Sequence, residues 1–241
     1  MSATAHPTLP TPPDDAVEAR ERTAAIPATA APPAAPAAAA PARSPAYGSR
    51  RYAMLNRPIE STRHLRRVCR FLEPRWHDRV LEVGCGRGHL TKRVQALAPD
   101  TVGVDLNPES IAHGVTDGLR VMDATCLAYA DASFDKVYSF HMLEHVPDVR
   151  AALGEMARVL RAGGRLLLVY PAEPVRGLYV VPTALVVFGN PLRARELHLH
   201  KLTPTRIARL AAGTGLEVVT SRLELLLTPQ FVTLLTKTGD R

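Results

Sequence analysis

The chain is poor in the features that mark several protein classes. Its three cysteines, Cys69, Cys85 and Cys126, fall at no paired spacing. That excludes a disulfide framework and a thiolate zinc site, and it fits a reducing compartment. Aromatic residues make up only 5% of the sequence. Its arginine-rich stretch lacks the interleaved rings on which bases stack, so a nucleic-acid partner is not expected. Long apolar runs are missing too, since "LYVVPTALVVFG" at 178–189 is interrupted by Pro182 and is too short to span a bilayer. The N-terminal stretch has no basic start followed by an apolar segment, and Asp14, Asp15, Glu18 and Glu21 argue against a transit peptide. A cytoplasmic protein is expected.

Large apolar side chains are also missing from residues 1–46, which hold 17 Ala and 10 Pro but only Leu9, Val17 and Ile26 as large aliphatics. Such a segment cannot bury enough surface to offset its ordering entropy, so it is expected to be a disordered tail. Residues 47–241 are expected to form one domain, in keeping with 46% hydrophobic and 22% charged residues. Arg20, Arg22, Arg43 and Arg50 cancel the four acids of the tail, so the formal net charge of +7 falls on residues 51–241. Much of it gathers in "PIESTRHLRRVCRFLEP", where Ile59, Leu65, Val68 and Leu72 recur at helical spacing and Arg63, Arg66, Arg67 and Arg70 point elsewhere. This is an amphipathic helix with a solvated basic face. An anionic bilayer surface is the alternative for that face, and membrane contact is not expected.

From residue 79 short apolar runs alternate with helical patterns, as in a parallel sheet with crossover helices. Strands are predicted at 79–83, 101–105, 119–122, 134–140 and 164–170, with helices at about 88–98, 107–114 and 148–161. The last helix ends in "RAGG", where Gly163 and Gly164 suit a left-handed cap. A proline-rich insert at 171–202 follows, then a helix from "TPTRIARLAAGTG" and two strands, 216–223 and 230–237, with no helix between them. Such consecutive strands pair antiparallel.

Gly84, Gly86 and Gly88 occupy the first strand-to-helix turn in "VLEVGCGRGHL". A dinucleotide fingerprint would place its third glycine at 89, where this chain has His89. Glu82 just upstream would repel a pyrophosphate and attract an amine or sulfonium. Asp105 ends "VGVD", 19 residues after Gly86, and suits both ribose hydroxyls. Asp123 ends "VMD" and suits the exocyclic amine of adenine. The three acids together point to a cationic nucleoside.

These motifs, with "FDKVYSFHMLEHVPD" and "LRAGGRLLLVYP", resemble the class I S-adenosylmethionine-dependent methyltransferases, methyltransferase type 11 branch. "HMLEHVPD" is similar to the ubiquinone-biosynthesis O-methyltransferases. The resemblance implies an α/β, Rossmann-like, doubly wound seven-stranded sheet with an antiparallel last strand and a lid insert after strand five. It also implies that Glu82, Gly84, Gly86 and Gly88 hold the methionine part, Asp105 the ribose and Asp123 the adenine, with Cys85, Leu106 and Ala124 lining the cofactor beside them. The acceptor is expected to be a small apolar or aromatic metabolite methylated at oxygen. RNA or protein methylation, and a non-catalytic S-adenosylmethionine-binding subunit, remain the alternatives.

His141 at the end of strand four is the candidate general base. His141, Glu144 and His145 stand at i, i+3 and i+4, but two imidazoles suit a hard magnesium ion poorly, so no metal is expected there. Glu196, His198 and His200 would share one side of an extended segment, with His198, His200 and Tyr52 expected at the acceptor. Tyr47 and the apolar patch Leu178–Phe188 are further candidates for the lid.

Overall fold

The computed structural model describes residues 61–225 and 229–239. The tail, Ile59, Tyr47 and Tyr52 lie outside those residues. Seven strands form one sheet: β1 (Val80–Val83), β2 (Thr101–Asp105), β3 (Leu119–Val121), β4 (Phe134–Phe140), β5 (Leu160–Pro171), β6 (Leu216–Glu224) and β7 (Gln230–Lys237). Their spatial order is β3-β2-β1-β4-β5-β7-β6. β1 to β5 are parallel to one another, while β7 runs antiparallel to both β5 and β6. The hairpin expected at the end of the chain is present, and its second arm inserts between β5 and β6.

The helices divide between the two faces because each buries one apolar stripe. On one face α1 (Ser61–Leu72) and α2 (His89–Gln95) set Val68, Phe71, Leu72, Leu90 and Val94 against Val80, Tyr138, Leu167, Val169 and Val232. On the other, α4 (Val149–Val159) and α7 (Pro204–Ala211) set Leu153, Met156, Ile207 and Ala211 against Leu81, Val137, Leu166 and Leu235. A short α3 (Pro108–Ala112) follows β2, started by Asn107, whose side chain accepts from the Glu109 amide. Arg63, Arg66 and Arg70 of α1 are exposed as the pattern predicts. Arg67 departs from it, and its Nε donates to Glu224 Oε2 at 3.0 Å.

The "RAGG" segment is a correction. α4 stops at Val159, and Leu160 already pairs with Phe134 as the first residue of β5. The register then shifts before Lys136 pairs with Arg165, so residues 161–164 form a bulge and not a helix cap. Gly163 does take a positive φ, 73°, and a Cβ on Gly164 would stand 2.7 Å from Leu160 Cγ.

The insert after β5 folds as α5 (Val181–Phe188) and α6 (Ala194–Leu197), each preceded by a 3-10 turn. Pro182 sits in the first turn of α5, where its missing N–H costs no helical bond. The insert has its own small core, Ala184, Ala194 and Leu197, with Phe188 packed on it. No helix among the described residues is long and apolar enough to cross a membrane.

Candidate active site

The order of the strands reverses its direction of growth between β1 and β4. Open parallel sheets leave their ligand crevice at the carboxyl ends beside such a switch point. The turn from β1 to α2 lies there, and Gly84, Gly86 and Gly88 take φ of 84°, 55° and 76°. These values favour glycine over any other residue. The protein itself also demands them: a Cβ on Gly84 would stand 2.6 Å from Met142 Cγ, and one on Gly88 2.7 Å from Leu119 Cδ1. The glycines therefore do more than admit a ligand. They let the turn sit against the segment that follows β4.

The three carboxylates differ in their surroundings. Asp105 braces the glycine turn, with Oδ2 accepting from the Gly86 amide at 2.8 Å and Oδ1 from the Asn107 amide at 2.9 Å. Burial raises its pKa, and the amides oppose that rise. Asp123 Oδ1 accepts from the Thr125 amide and hydroxyl at 3.0 and 2.8 Å. Glu82 is buried within β1, where its Oε2 accepts from Thr91 Oγ1 and, at 3.1 Å, from the Tyr138 hydroxyl. Burial pushes its pKa up to about 8, against the lowering effect of those two hydrogen bonds. Glu82 thus stands behind the turn, flanked by two residues that motif reading overlooks. Tyr138 was in principle legible, because β1 and β4 pair with Glu82 opposite Tyr138. Cys85 and Ala124 are buried and Leu106 is exposed.

His141 follows β4 directly and is one of three non-glycine residues with positive φ among the described residues, at 51°. Its amide donates to Val169 O at 2.8 Å, and its Nδ1 lies 3.4 Å from Glu144 Oε1. Such a backbone conformation is costly for histidine and is found where the surroundings fix the side chain's direction. Another imidazole stands nearby: His64 of α1 packs on Phe140 with ring centroids 4.4 Å apart and lies 5.9 Å from His141. Burial foremost, then the charges of His141 and Arg67, depresses the His64 pKa to about 3. Sequence reading missed His64, since nothing local joins it to residues some 76 positions away.

Glu196, His198 and His200 do not share one side of an extended segment. Residues 194–197 are helical, so Glu196 turns outward to exposed Arg193, with contacts of 2.8 and 2.7 Å. His198 is buried, its Nδ1 3.0 Å from Glu173 Oε2. Both nitrogens of His200 are engaged by the protein: Nε2 donates to Val146 O at 2.9 Å, and Nδ1 accepts from Arg206 Nη2 at 3.2 Å. The amides of Leu199 and His200 donate to Glu144 O, and His145 Nδ1 donates to Leu197 O at 2.7 Å. These contacts sew the end of the insert to the turn after β4. Leu178, Leu185 and Val186 of the insert's apolar patch stay exposed.

A sequence model described as a methyltransferase domain matches residues 47–221, more than half of the chain. The chain belongs to this methyltransferase family. Two of its relatives are the ubiquinone biosynthesis O-methyltransferases of Idiomarina loihiensis and Rhizobium etli. The first is 32% identical over 150 residues, covering 58% of this chain and 61% of the relative. The second is 31% identical over 152 residues, covering 58% and 60%. The chain thus spans about three fifths of the length of these curated relatives. Among solved structures it is similar to geranyl diphosphate C-methyltransferase from Streptomyces coelicolor, crystallised with magnesium, geranyl diphosphate and S-adenosyl-L-homocysteine. That likeness has a TM-score of 0.60 at 14% identity and covers 80% of this chain and 87% of the other. A SAM-dependent methyltransferase from Methanosarcina mazei gives 0.55 at 20%, covering 72% and 97%. At such identities the likeness establishes the fold.

Proposed function

We propose that this methyltransferase moves a methyl group from S-adenosylmethionine to an oxygen of a small organic acceptor. The observation that carries the reading is the turn at Gly84–Gly88, braced by Asp105 and backed by the buried carboxyl of Glu82. Burial raises the pKa of that carboxyl, and an ammonium or sulfonium beside it would favour its ionised form. The cofactor supplies an activated methyl on a positively charged sulfur. Glu82 and the glycine turn, with Cys85, hold its methionine end. Asp105 keeps a second lone pair on each oxygen for the ribose hydroxyls, and Asp123 accepts from the adenine amine, with Leu106 and Ala124 beside the base.

The remaining work falls to residues on the acceptor side. Holding the acceptor oxygen in line with the methyl, away from water, supplies much of the rate. His141, fixed by its strained backbone and Glu144, takes or orients the hydroxyl proton. His198 belongs to the wall formed by the insert, and His200 holds that wall in place. The relatives' names and the exposed Leu178, Leu185 and Val186 favour an aromatic or isoprenoid-like acceptor.

The test is to incubate the protein with tritiated S-adenosylmethionine and a cell extract, then separate the label into organic-soluble, aqueous and macromolecular fractions. Label in the organic phase, lowered about a hundredfold by His141→Ala, is the expected outcome. Label confined to RNA or protein would overturn the acceptor class.

A further inference from the structure

β6 is the last strand in the sheet order, and among the described residues nothing pairs with its outer side. The Thr238 amide donates to Gly215 O across the hairpin, so the even-numbered residues of β7 turn their backbone groups towards β6. Their partners Glu217, Thr220, Arg222 and Glu224 are thereby engaged. Leu216, Val218, Ser221 and Leu223 turn theirs outward. These four stand opposite Lys237, Leu235, Thr233 and Phe231, so they are evenly spaced even though Val219 is an extra residue at the register shift. Val218, Val219 and Leu223 are exposed apolar side chains on this edge.

An open row of amides and carbonyls is a template for another strand, and a bulge normally blunts it. A regular foreign strand would meet the β6 bulge out of step. A second copy of β6, related by a twofold axis, would meet it in step because bulge faces bulge. With the two copies antiparallel and Val218 opposite Ser221, all four outward residues of each copy find a partner, and Leu223 lies opposite Leu216. Glu217 then falls opposite Arg222, twice by symmetry. Both stand on one face of the sheet, opposite Thr236 and Val232, both are exposed, and neither forms an ion pair among the described residues. Glu224, the other acid on that face, is already held by Arg67.

We propose that the protein forms a homodimer in which β6 pairs antiparallel with β6 of a second copy, joining the two seven-stranded sheets into one. The pairing of Glu217 with Arg222 of the other copy sets the register and selects a second copy of this chain over other strands. None of this depends on the cofactor or on the identity of the acceptor.

Sedimentation velocity of the full chain at loadings from about 1 to about 200 µM provides the test, since a contact of this size is expected to have a dissociation constant in the micromolar range. Dimer should dominate at the top of that range. Glu217→Arg or Arg222→Glu alone sets like charges opposite each other at two places and should raise the dissociation constant at least about tenfold. The double variant, Glu217→Arg with Arg222→Glu, reverses both signs and should return it to within about threefold of wild type. Circular dichroism and S-adenosylmethionine binding are measured on every variant, so loss of fold or failure of the cofactor reading is seen separately. A folded protein that stays monomeric at every loading would overturn the proposal. So would a dimer indifferent to the single reversals, or one that the double reversal fails to restore.

Discussion

Glu82 makes the site's electrostatic design measurable one residue at a time. Its folded pKa of about 8 lies above the ordinary carboxyl value, so the folded state holds a proton that the unfolded chain releases. The resulting stability is full below about pH 4.5 and declines as pH rises through the folded value. At pH 8 the burden is on the order of a few kcal/mol. Glu82→Gln should therefore flatten the fall in apo-protein melting temperature between pH 5 and 8 while weakening S-adenosylmethionine binding. Melting curves across that range that overlay for the two proteins would contradict the assignment. A bound cation favours the ionised carboxyl, so binding should release a proton and tighten as pH rises towards 8. Calorimetry in two buffers of different ionisation enthalpy reads that release directly. At this scale the positions of Glu82, Asp105 and Asp123 in or beside the ends of β1, β2 and β3 were legible, because acids there stand out in a linear motif. His64, Thr91 and Tyr138 stayed hidden because only packing of separate elements brings them to the site.

Among the elements, the glycine turn and the insert have measurable consequences. Gly84 has a left-handed backbone and no room for a methyl group beside Met142. Gly84→Ala should cost about 1–3 kcal/mol in denaturant unfolding. Met142→Ala in the same background should recover the part due to the clash, and an additive double mutant would show that Met142 is not the obstacle. The sheet's alternating rhythm was legible here because helices and strands impose different periods on apolar residues. Two local readings failed for one common reason, tertiary context. "RAGG" was assigned to a helix end, but Leu160 is drawn into β5 by pairing with Phe134. "RELHLH" was read as extended, but the small core of Ala184, Ala194 and Leu197 winds its first part into a helix and turns Glu196 outward.

For the whole molecule, the sheet and its two helical layers hold the two large apolar clusters, and the insert rests on a much smaller core. Hydrogen exchange should reflect this, with amides of Val181–Phe188 exchanging faster than those of Leu166–Val169 in the centre of the sheet. Equal protection would mean that the insert belongs to the main cooperative unit. S-adenosylmethionine is proposed to bind at the carboxyl edge of β1–β3. Titration calorimetry at pH 8 with wild type and Asp105→Ala tests it most directly. One site per chain is expected in wild type, weakened at least about tenfold in Asp105→Ala by loss of the charge-assisted hydrogen bonds to ribose. A folded wild-type protein that takes up none, or an Asp105→Ala protein that binds equally well, would contradict it.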